Sequence, residues 1–228
     1  AAASRRPDDR LFTERVYPVA AQQSFVRAVA DRIGFDFERG RLDTTDRIRF
    51  TAQTIREAPT LLSLDRADRS DFLRFFYKRF DNASVERLDH DAMEMMSDLL
   101  MTKSFPDGIR RVREHRRLGH RTLLITGALE LVVEPLRPLF DDIVAAEMTS
   151  VDGVYTGRLS GVPPTGEARY QVMVDYAAEH DIDLREAVAY ADSSSDLPML
   201  EAVGFPVAVN AETKLASIAR RRGWLIEH

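Results

Sequence analysis

Cysteine is missing from this sequence of 228 residues, and its absence excludes several kinds of chemistry at once. Without a thiol the chain can form no disulfide, no thiolate metal site and no cysteine nucleophile. A protein without disulfides fits a reducing compartment, so we expect this one in the cytoplasm. We also find no apolar run of membrane-spanning length and no signal-peptide pattern, and we therefore expect no membrane span.

An excess of positive charge is also missing. Lys and Arg number 32 against 37 Asp and Glu, which gives a net charge of -5 at pH 7. This balance argues against a nucleic-acid partner recruited by bulk charge. Hydrophobic residues make up 44% of the chain and charged residues 30%, an ordinary composition for a globular protein, and the length suits one large or two small domains.

The pattern of apolar residues changes along the chain and divides it into three segments. Residues 1–33 form an N-terminal lead with helical spacing in its second part, and residues 34–104 are mainly helical in pattern. Residues 105–228 alternate between strand and helix patterns, which is typical of a parallel sheet with helical crossovers. We therefore expect an α/β fold: a Rossmann-like parallel sheet with helices on both faces, plus a helical cap formed by the preceding block.

Five aromatic residues recur at helical spacing in the second segment: Phe72, Phe75, Phe76, Tyr77 and Phe80. Such a stripe most simply predicts a helix that packs its aromatic side chains into a core. The alternative is that these rings line an apolar pocket or a lid next to a binding site.

An acidic loop between two strand patterns is the most informative stretch of the chain. Residues 187–191 form a short apolar run that predicts a buried strand, and Asp192 and Asp196 follow it on either side of three serines. Two carboxylates at the C-terminal end of a parallel strand lie where open α/β sheets bind ligands, and hard oxygen ligands suit Mg²⁺. The alternative is a helix cap, a role that Asp192 or Ser195 could fill alone.

Two other segments belong to the same expected edge of the sheet. Thr126 and Gly127 follow the strand pattern of residues 120–125, where a hydroxyl and backbone N–H groups can bind a phosphate oxygen. Arg169 lies early in a helix that follows a loop, where a fixed cation can neutralise charge on a phosphate. Taken singly, Thr126 also fits an ordinary N-cap, and Arg169 also fits a surface ion pair with Glu167.

Together these three segments resemble the motifs of the haloacid dehalogenase superfamily, and within it the phosphoserine-phosphatase-like branch. Leu-Leu-Ile-Thr-Gly (123–127) matches the second motif, and Gly-Glu-Ala-Arg (166–169) lies where the third motif has its basic residue. Ala-Tyr-Ala-Asp-Ser-Ser-Ser-Asp-Leu-Pro-Met-Leu (189–200) matches the fourth motif. The fourth motif, with the strand that follows it, is the most specific of the three.

The resemblance implies a role for each matching residue. Thr126, together with Gly127, corresponds to the residues that bind the phosphoryl group. Arg169 stands where the family usually has Lys, a replacement that keeps the charge and changes its geometry. Asp192 corresponds to the residue that binds Mg²⁺, and Asp196 to the residue that supports the metal or the basic side chain.

The first motif of the family, Asp-x-Asp-Gly-Thr after an apolar strand, has no intact copy in the sequence. The nearest candidate places Asp36 at the position of the nucleophile, where it would also bind the metal, and Glu38 at the position of the general acid/base. Arg39 and Gly40 then replace the Gly-Thr turn. The alternative is an ordinary helix end or loop here, with the motif lost or placed before residue 1. The segment ahead of Asp36 is not a buried apolar run, which favours this alternative.

Two functions from different classes follow from the resemblance. The first is a Mg²⁺-dependent phosphoric monoester hydrolase that acts on a small phosphorylated substrate, through an aspartyl-phosphate if the nucleophile is present. The second is a domain without catalytic activity that binds a phosphorylated ligand or a partner, as part of a larger protein of lipid metabolism. A doubly wound sheet without phosphate chemistry would need three independent coincidences along one edge.

Overall fold

The computed structural model describes residues 56–57, 59–60, 63–64, 68–93 and 106–227. The two acids of the candidate first motif, Asp36 and Glu38, lie outside the described residues, and so do the segment boundaries expected at residues 33 and 104. These assignments stay predictions. Within the described ranges, no helix is long and apolar enough to cross a lipid bilayer.

The described part of the expected cap contains helix α1, Arg69–Tyr77. Asp68 caps its N-terminus, because the carboxylate accepts hydrogen bonds from two backbone N–H groups of the first turn at 2.6 and 3.2 Å. A 3₁₀ turn, Lys78–Phe80, follows directly, and residues 85–93 are helical. The helical pattern read from this part of the sequence is therefore confirmed.

The remaining described residues alternate between helices and strands. In chain order the elements are α2 (Pro106–Arg117), β1 (Leu123–Leu129), α3 (Glu130–Val133), β2 (Asp142–Ala146), β3 (Met148–Val151), β4 (Val154–Leu159), α4 (Glu167–Glu179), β5 (Val188–Ala191), α5 (Leu197–Ala202), β6 (Phe205–Val209), α6 (Thr213–Arg222) and β7 (Leu225–Glu227). This alternation is the one that the apolar pattern predicts.

The strands pair in three groups. β1 and β2 are parallel, β5, β6 and β7 are parallel in that order, and β3 and β4 form an antiparallel hairpin. Parallel neighbours cannot be joined by a tight turn, which is why helices separate them in the chain. The prediction of a parallel α/β architecture is confirmed. In the part of the chain that the structure describes, no ladder joins β1 to β5.

Both faces of the β5–β7 sheet are covered by apolar side chains. Ala208 of β6 faces a core cluster that contains Leu200 of α5 and Leu215 of α6. Its neighbours Val207 and Val209 point to the opposite face, since side chains alternate along a strand, and both are buried there. A strand covered on both faces explains why this stretch reads as a continuous apolar run.

Helix α1 packs against the C-terminal ends of β1 and β2. Phe72, Phe76 and Tyr77 are buried on one side of α1, in a cluster with Leu129 of β1 and Ala146 of β2. The rings of Phe76 and Tyr77 meet edge to face with their centroids 5.5 Å apart. The aromatic stripe is thus part of a core, as its helical spacing predicts.

The hairpin of β3 and β4 is hydrogen-bonded to the segment that follows α1. Asp152 and Gly153 at its tip have positive φ angles of 50° and 79°, which a two-residue type I′ turn requires. The backbone N–H of Tyr155 donates to the carbonyl of Ala83, and the N–H of Asn82 donates to the carbonyl of Tyr155, both at 2.8 Å. These bonds fix the segment that follows α1 to the hairpin.

Proline explains the main departure from the predicted elements. The pattern predicts one helix over residues 129–139, but the chain forms only the single turn of α3 and then a 3₁₀ segment, Glu134–Leu139. Pro135 and Pro138 lack the backbone N–H that a continuous α-helix would need at those positions. The two prolines therefore prevent the continuous helix that the apolar spacing predicts.

Gly204, between α5 and β6, is a position where only glycine fits. A β-carbon there would lie 1.8 Å from the carbonyl oxygen of Arg185, a backbone atom that cannot simply rotate away. We expect Gly204→Ala to lower the free energy of unfolding by about 3 kcal/mol, because the backbone must shift to relieve the overlap. Urea denaturation followed by circular dichroism measures this change.

Gly161→Ala is the matched control for that experiment. An added β-carbon at Gly161 meets no atom within 4 Å, and this glycine does not have a positive φ. We expect its free energy of unfolding to stay within about 0.5 kcal/mol of the wild type. Equal losses in the two variants would contradict the overlap at Gly204.

Candidate active site

The end of β1 bulges at the second motif. Pairing with β2 is regular up to Ile125 and resumes at Leu129, so four residue steps on β1 lie opposite two on β2. Thr126 and Gly127 lie inside this bulge, and β1 begins later than predicted and continues past them. Bulges take residues out of the hydrogen-bonded ladder and redirect their side chains, which is a common device next to active sites.

Thr126 is buried, with 8% of its surface exposed. Its Oγ1 accepts a hydrogen bond from the backbone N–H of Ala128 at 3.1 Å. This contact is the cap-like role that the sequence leaves open. A hydroxyl can accept and donate at the same time, so the Thr126 proton remains available for a further acceptor.

Gly127 is the point at which three segments of the chain meet. A β-carbon there would lie 2.7 Å from Cγ2 of Thr165 and 2.8 Å from Cδ1 of Leu73. Leu73 belongs to α1 and Thr165 to the loop before α4, so both elements pack directly onto the second motif. The lack of a side chain at Gly127 is what permits this close approach.

The loop before α4 also approaches the acidic loop. Gly166 has a φ of 52° and a ψ of -124°, a conformation that residues with a β-carbon avoid. A β-carbon at Gly166 would lie 3.7 Å from the carbonyl oxygen of Ser195. Residues 165 and 166 therefore touch the second motif on one side and the fourth motif on the other, and the three segments predicted from the sequence come together here.

Arg169, in the first turn of α4, forms an ion pair with Asp196 rather than with Glu167. The two paired side chains are only 17% and 2% exposed, so water screens the pair little. Nη1 of Arg169 donates to Oδ1 of Asp196. Nε of Arg169 is buried and has no hydrogen-bond partner among the residues that the structure describes. A buried guanidinium N–H without a partner is a donor suited to an anionic ligand.

The acidic loop is held in place by side chains outside the two aspartates. Residues Ser194–Asp196 form a 3₁₀ turn whose N-terminus is capped by the hydroxyl of Ser193. Glu212, at the start of α6, accepts a hydrogen bond from the N–H of Ser194 at 2.7 Å. The N–H of Glu212 donates to the carbonyl of Asp192 at 2.9 Å. Because Ser193 is the cap, the side chain of Asp192 is left for another role.

The two carboxylates of the loop are in an unfavourable environment. Burial raises the pKa of Asp192 above its ordinary value of 3.8, and the negative charge of Asp196 raises it further. Burial also raises the pKa of Asp196, and the Arg169 guanidinium opposes that effect. The positive charge at this site is thus engaged with Asp196, while the charge of Asp192 is poorly balanced.

A divalent cation beside Asp192 would relieve this imbalance. Within the described ranges, no three acidic, histidine or cysteine side chains lie close enough to hold a metal ion by themselves. Mg²⁺ commonly takes only one or two carboxylates from a protein and completes its shell with water and phosphate. These side chains therefore fit Mg²⁺, which would be held by the carboxylate of Asp192 and by Oδ2 of Asp196, the oxygen that does not accept from Arg169.

The sequence alone does not reveal several residues that shape this region. For Glu212 the sequence offers one signal: it lies between a strand and a helix, at the edge of the sheet where ligands bind. The contacts of Leu73 and Thr165 with Gly127 had none, because they join segments far apart in the chain. The roles assigned to Thr126, Gly127, Arg169, Asp192 and Asp196 stay predictions.

Comparison with models of known protein families identifies the family of this chain. The sequence model of the haloacid dehalogenase-like hydrolases matches residues 21–201, which is more than half of the chain. The chain belongs to the haloacid dehalogenase-like hydrolase family. The resemblance inferred from three short motifs is thereby confirmed.

Relatives of this chain include proteins named as phosphatases. The histidinol-phosphatase of Neisseria meningitidis is 31% identical over 159 residues, which are 67% of this chain and 72% of that protein. The phosphoserine phosphatase SerB1 of Mycobacterium tuberculosis is 35% identical over 149 residues, which are 64% of this chain and 48% of that protein. The chain thus spans about half the length of several curated relatives that it matches.

A solved structure supports the fold of this family member. The probable phosphoserine phosphatase of Vibrio cholerae, in its unliganded form, superposes with a TM-score of 0.62 and is 16% identical. The match covers 85% of this chain and 55% of that one. At this identity the likeness shows the fold alone, and it agrees with the expected Rossmann-like α/β architecture.

Asp192→Asn is expected to stabilise the metal-free protein at neutral pH. Because the folded state raises the pKa of this carboxyl, its charge weakens folding at every pH above that raised value. The amide removes the charge and keeps the shape. The gain should shrink as the pH falls toward 3.8, because the wild-type carboxyl then becomes protonated as well. Urea denaturation in EDTA, at neutral and at acidic pH, measures the difference.

Mg²⁺ should stabilise the wild type and leave Asp192→Asn unchanged. A ligand that binds only the folded state adds about 2.7 kcal/mol at about 100 times its dissociation constant. Asp175→Asn alters an exposed carboxylate of α4 and is the control, which should respond to Mg²⁺ as the wild type does. An Asp192→Asn protein that is destabilised in EDTA, or stabilised by Mg²⁺, would contradict the assignment.

Proposed function

We propose that this chain is a Mg²⁺-dependent phosphoric monoester hydrolase with its phosphate site at Thr126, Gly127, Arg169, Asp192 and Asp196. The observation that carries the proposal is the contact of the loop before α4 with both the second motif and the acidic loop. Through this contact a hydroxyl, a guanidinium and two carboxylates come from separate parts of the chain to one region.

Thr126 and Arg169 supply hydrogen-bond donors for the phosphoryl group in this proposal. The Thr126 hydroxyl acts as an acceptor toward Ala128, which leaves its proton for a phosphoryl oxygen. The buried Nε–H of Arg169 supplies a second donor. Donors fixed in this way stabilise the negative charge on the phosphoryl oxygens while the bond to the leaving oxygen breaks.

Arginine at position 169 is compatible with this role although the family usually has lysine there. A guanidinium carries five N–H donors in a planar fork, whereas an ammonium is a point charge. Nη1 donates to Asp196, and Nε has no hydrogen-bond partner among the described residues. One arginine can therefore hold the acidic loop and contact a phosphate at the same time.

Asp192 and Asp196 would hold Mg²⁺, which neutralises charge on a phosphoryl oxygen when it is bound. Asp192 is the stronger candidate, because Arg169 already pairs with Asp196. Ser193 and Glu212 support this role by fixing the backbone of the loop from which both carboxylates extend. Hydrogen bonds around a metal-binding side chain help to orient that side chain toward the metal.

Asp36 and Glu38 are the candidates for the reacting groups, and they rest on the sequence alone. The Asp36 carboxylate would attack phosphorus, and the ester oxygen would leave with a proton from Glu38. The Glu38 carboxylate would then take a proton from the water that hydrolyses the aspartyl-phosphate. The family match begins at residue 21, upstream of both residues, which supports looking for the first motif in this part of the chain.

The substrate in this proposal is a small phosphate monoester. The names of the relatives, a histidinol-phosphatase and a phosphoserine phosphatase, support this class of compound. A second function, binding of a phosphorylated ligand without hydrolysis, is favoured by one observation: the altered first motif at Asp36. The cytoplasm remains the location that we propose, from the lack of cysteine.

Hydrolysis of p-nitrophenyl phosphate with and without Mg²⁺ separates the two functions. We expect turnover that requires Mg²⁺ and a loss of about 100-fold or more in kcat/KM for Asp192→Asn, because the charge neutralisation at the phosphoryl group is then lost. Asp175→Asn should keep the wild-type rate. A folded protein that binds Mg²⁺ without turning over this ester would support the binding function instead.

The same assay tests whether Asp36 is the nucleophile. If Asp36 attacks phosphorus, Asp36→Asn should abolish turnover and also the Mg²⁺-dependent binding of beryllium fluoride, a mimic of an aspartyl-phosphate. Unchanged turnover in this variant would show that Asp36 is not the nucleophile, while leaving the phosphate site as proposed.

A further inference from the structure

Helix α1 places a buried tyrosine against the second motif. The Tyr77 hydroxyl donates a hydrogen bond to the carbonyl oxygen of Gly127 at 3.0 Å, and Tyr77 is only 7% exposed. Leu73, one turn earlier on α1, approaches the same glycine. The cap segment thus holds the second motif by one polar and one apolar contact, and neither belongs to a sequence motif.

The bond from Tyr77 fixes the orientation of a whole peptide unit. The carbonyl of Gly127 and the N–H of Ala128 lie in one plane and point in opposite directions. The N–H of Ala128 donates to Oγ1 of Thr126 at 3.1 Å. Because Tyr77 holds the carbonyl end of this plane, it also sets the direction of the N–H that bonds to the Thr126 hydroxyl.

The hydrogen bond satisfies two buried polar groups, the Gly127 carbonyl and the Tyr77 hydroxyl. Gly127 lies in the bulge of β1, where the ladder to β2 is interrupted, and a buried carbonyl without a ladder partner must find another donor. Burial raises the pKa of Tyr77, so its hydroxyl keeps its proton and remains a donor. The proposed chemistry makes no other use of this proton.

We infer that Tyr77 is a positioning residue for phosphate binding. Its hydrogen bond keeps the peptide between Gly127 and Ala128 in the orientation that leaves the Thr126 proton free to bond a phosphate oxygen. Without the bond this peptide can rotate within the bulge, and only a fraction of the molecules retains the binding geometry. The inference rests on the proposed phosphate site at Thr126 and extends it into the cap.

Tyr77→Phe tests the inference, because it removes the hydroxyl and keeps the ring. We expect the dissociation constant for inorganic phosphate in the presence of Mg²⁺, measured by calorimetry, to rise about three- to tenfold, the usual effect of one hydrogen bond. The KM for p-nitrophenyl phosphate should rise by a similar factor. The kcat should change by less than about twofold, because the phosphoryl group meets the same donor before and during the reaction.

Tyr155→Phe is the matched control. Tyr155 is buried to a similar degree, at 9% exposed, but its hydroxyl donates to the carboxylate of Asp89 at 3.0 Å rather than to the second motif. Each variant loses the hydrogen bond of one buried tyrosine, a buried bond at Tyr77 and a partly buried one at Tyr155, so both can lose some stability. Only Tyr77→Phe should weaken phosphate binding. Equal weakening in the two variants, or none in Tyr77→Phe, would overturn the inference.

Measurements on the wild type distinguish a failure of this inference from a failure of the proposed function on which it rests. A wild-type protein that neither binds inorganic phosphate nor hydrolyses the ester overturns the proposed function, and the role of Tyr77 falls with it. A wild-type protein that binds and hydrolyses, beside a Tyr77→Phe variant with the same phosphate affinity and KM, overturns the role of Tyr77 alone.

Discussion

The buried ion pair between Arg169 and Asp196 is the interaction on which the arrangement of the site depends. Removing either partner of such a pair leaves an uncompensated buried charge, which costs roughly 3–5 kcal/mol. The first turn of α4 must therefore stay beside the acidic loop. This requirement also places the loop before α4, and with it Thr165, against the second motif at Gly127. One ion pair thus holds together segments that come from separate parts of the chain.

Helix α1 contacts the second motif directly. Leu73 and Tyr77 of α1 both touch Gly127, and the hairpin of β3 and β4 is hydrogen-bonded to the segment after α1. Glycine at position 127 is what allows α1 and the loop before α4 to approach the bulge from two directions. The geometry of the second motif is therefore set partly by residues outside the motifs, Leu73 and Tyr77.

The fourth motif could be predicted from the sequence because its elements are local. The apolar run, the acidic loop, the short helix and the second strand follow one another directly, and strand ends in parallel sheets lie at one edge. The pairing of Arg169 with Asp196 is one of the two roles that the family resemblance implies for Asp196. Spacing along the chain could not show it, since Glu167 is near Arg169 in the sequence and Asp196 is near it only in space. The prediction of one helix over residues 129–139 is wrong for another reason: the spacing of apolar residues carries no information about the missing backbone N–H of proline.

A crystal structure with Mg²⁺ and tungstate, a stable analogue of phosphate, tests the central claim most directly. The account predicts one anion within hydrogen-bond distance of both the Thr126 hydroxyl and the Arg169 guanidinium, and Mg²⁺ bound by Asp192. An anion that contacts only one of these two donors, or Mg²⁺ bound away from Asp192, would contradict a single phosphate and metal site formed by the three segments.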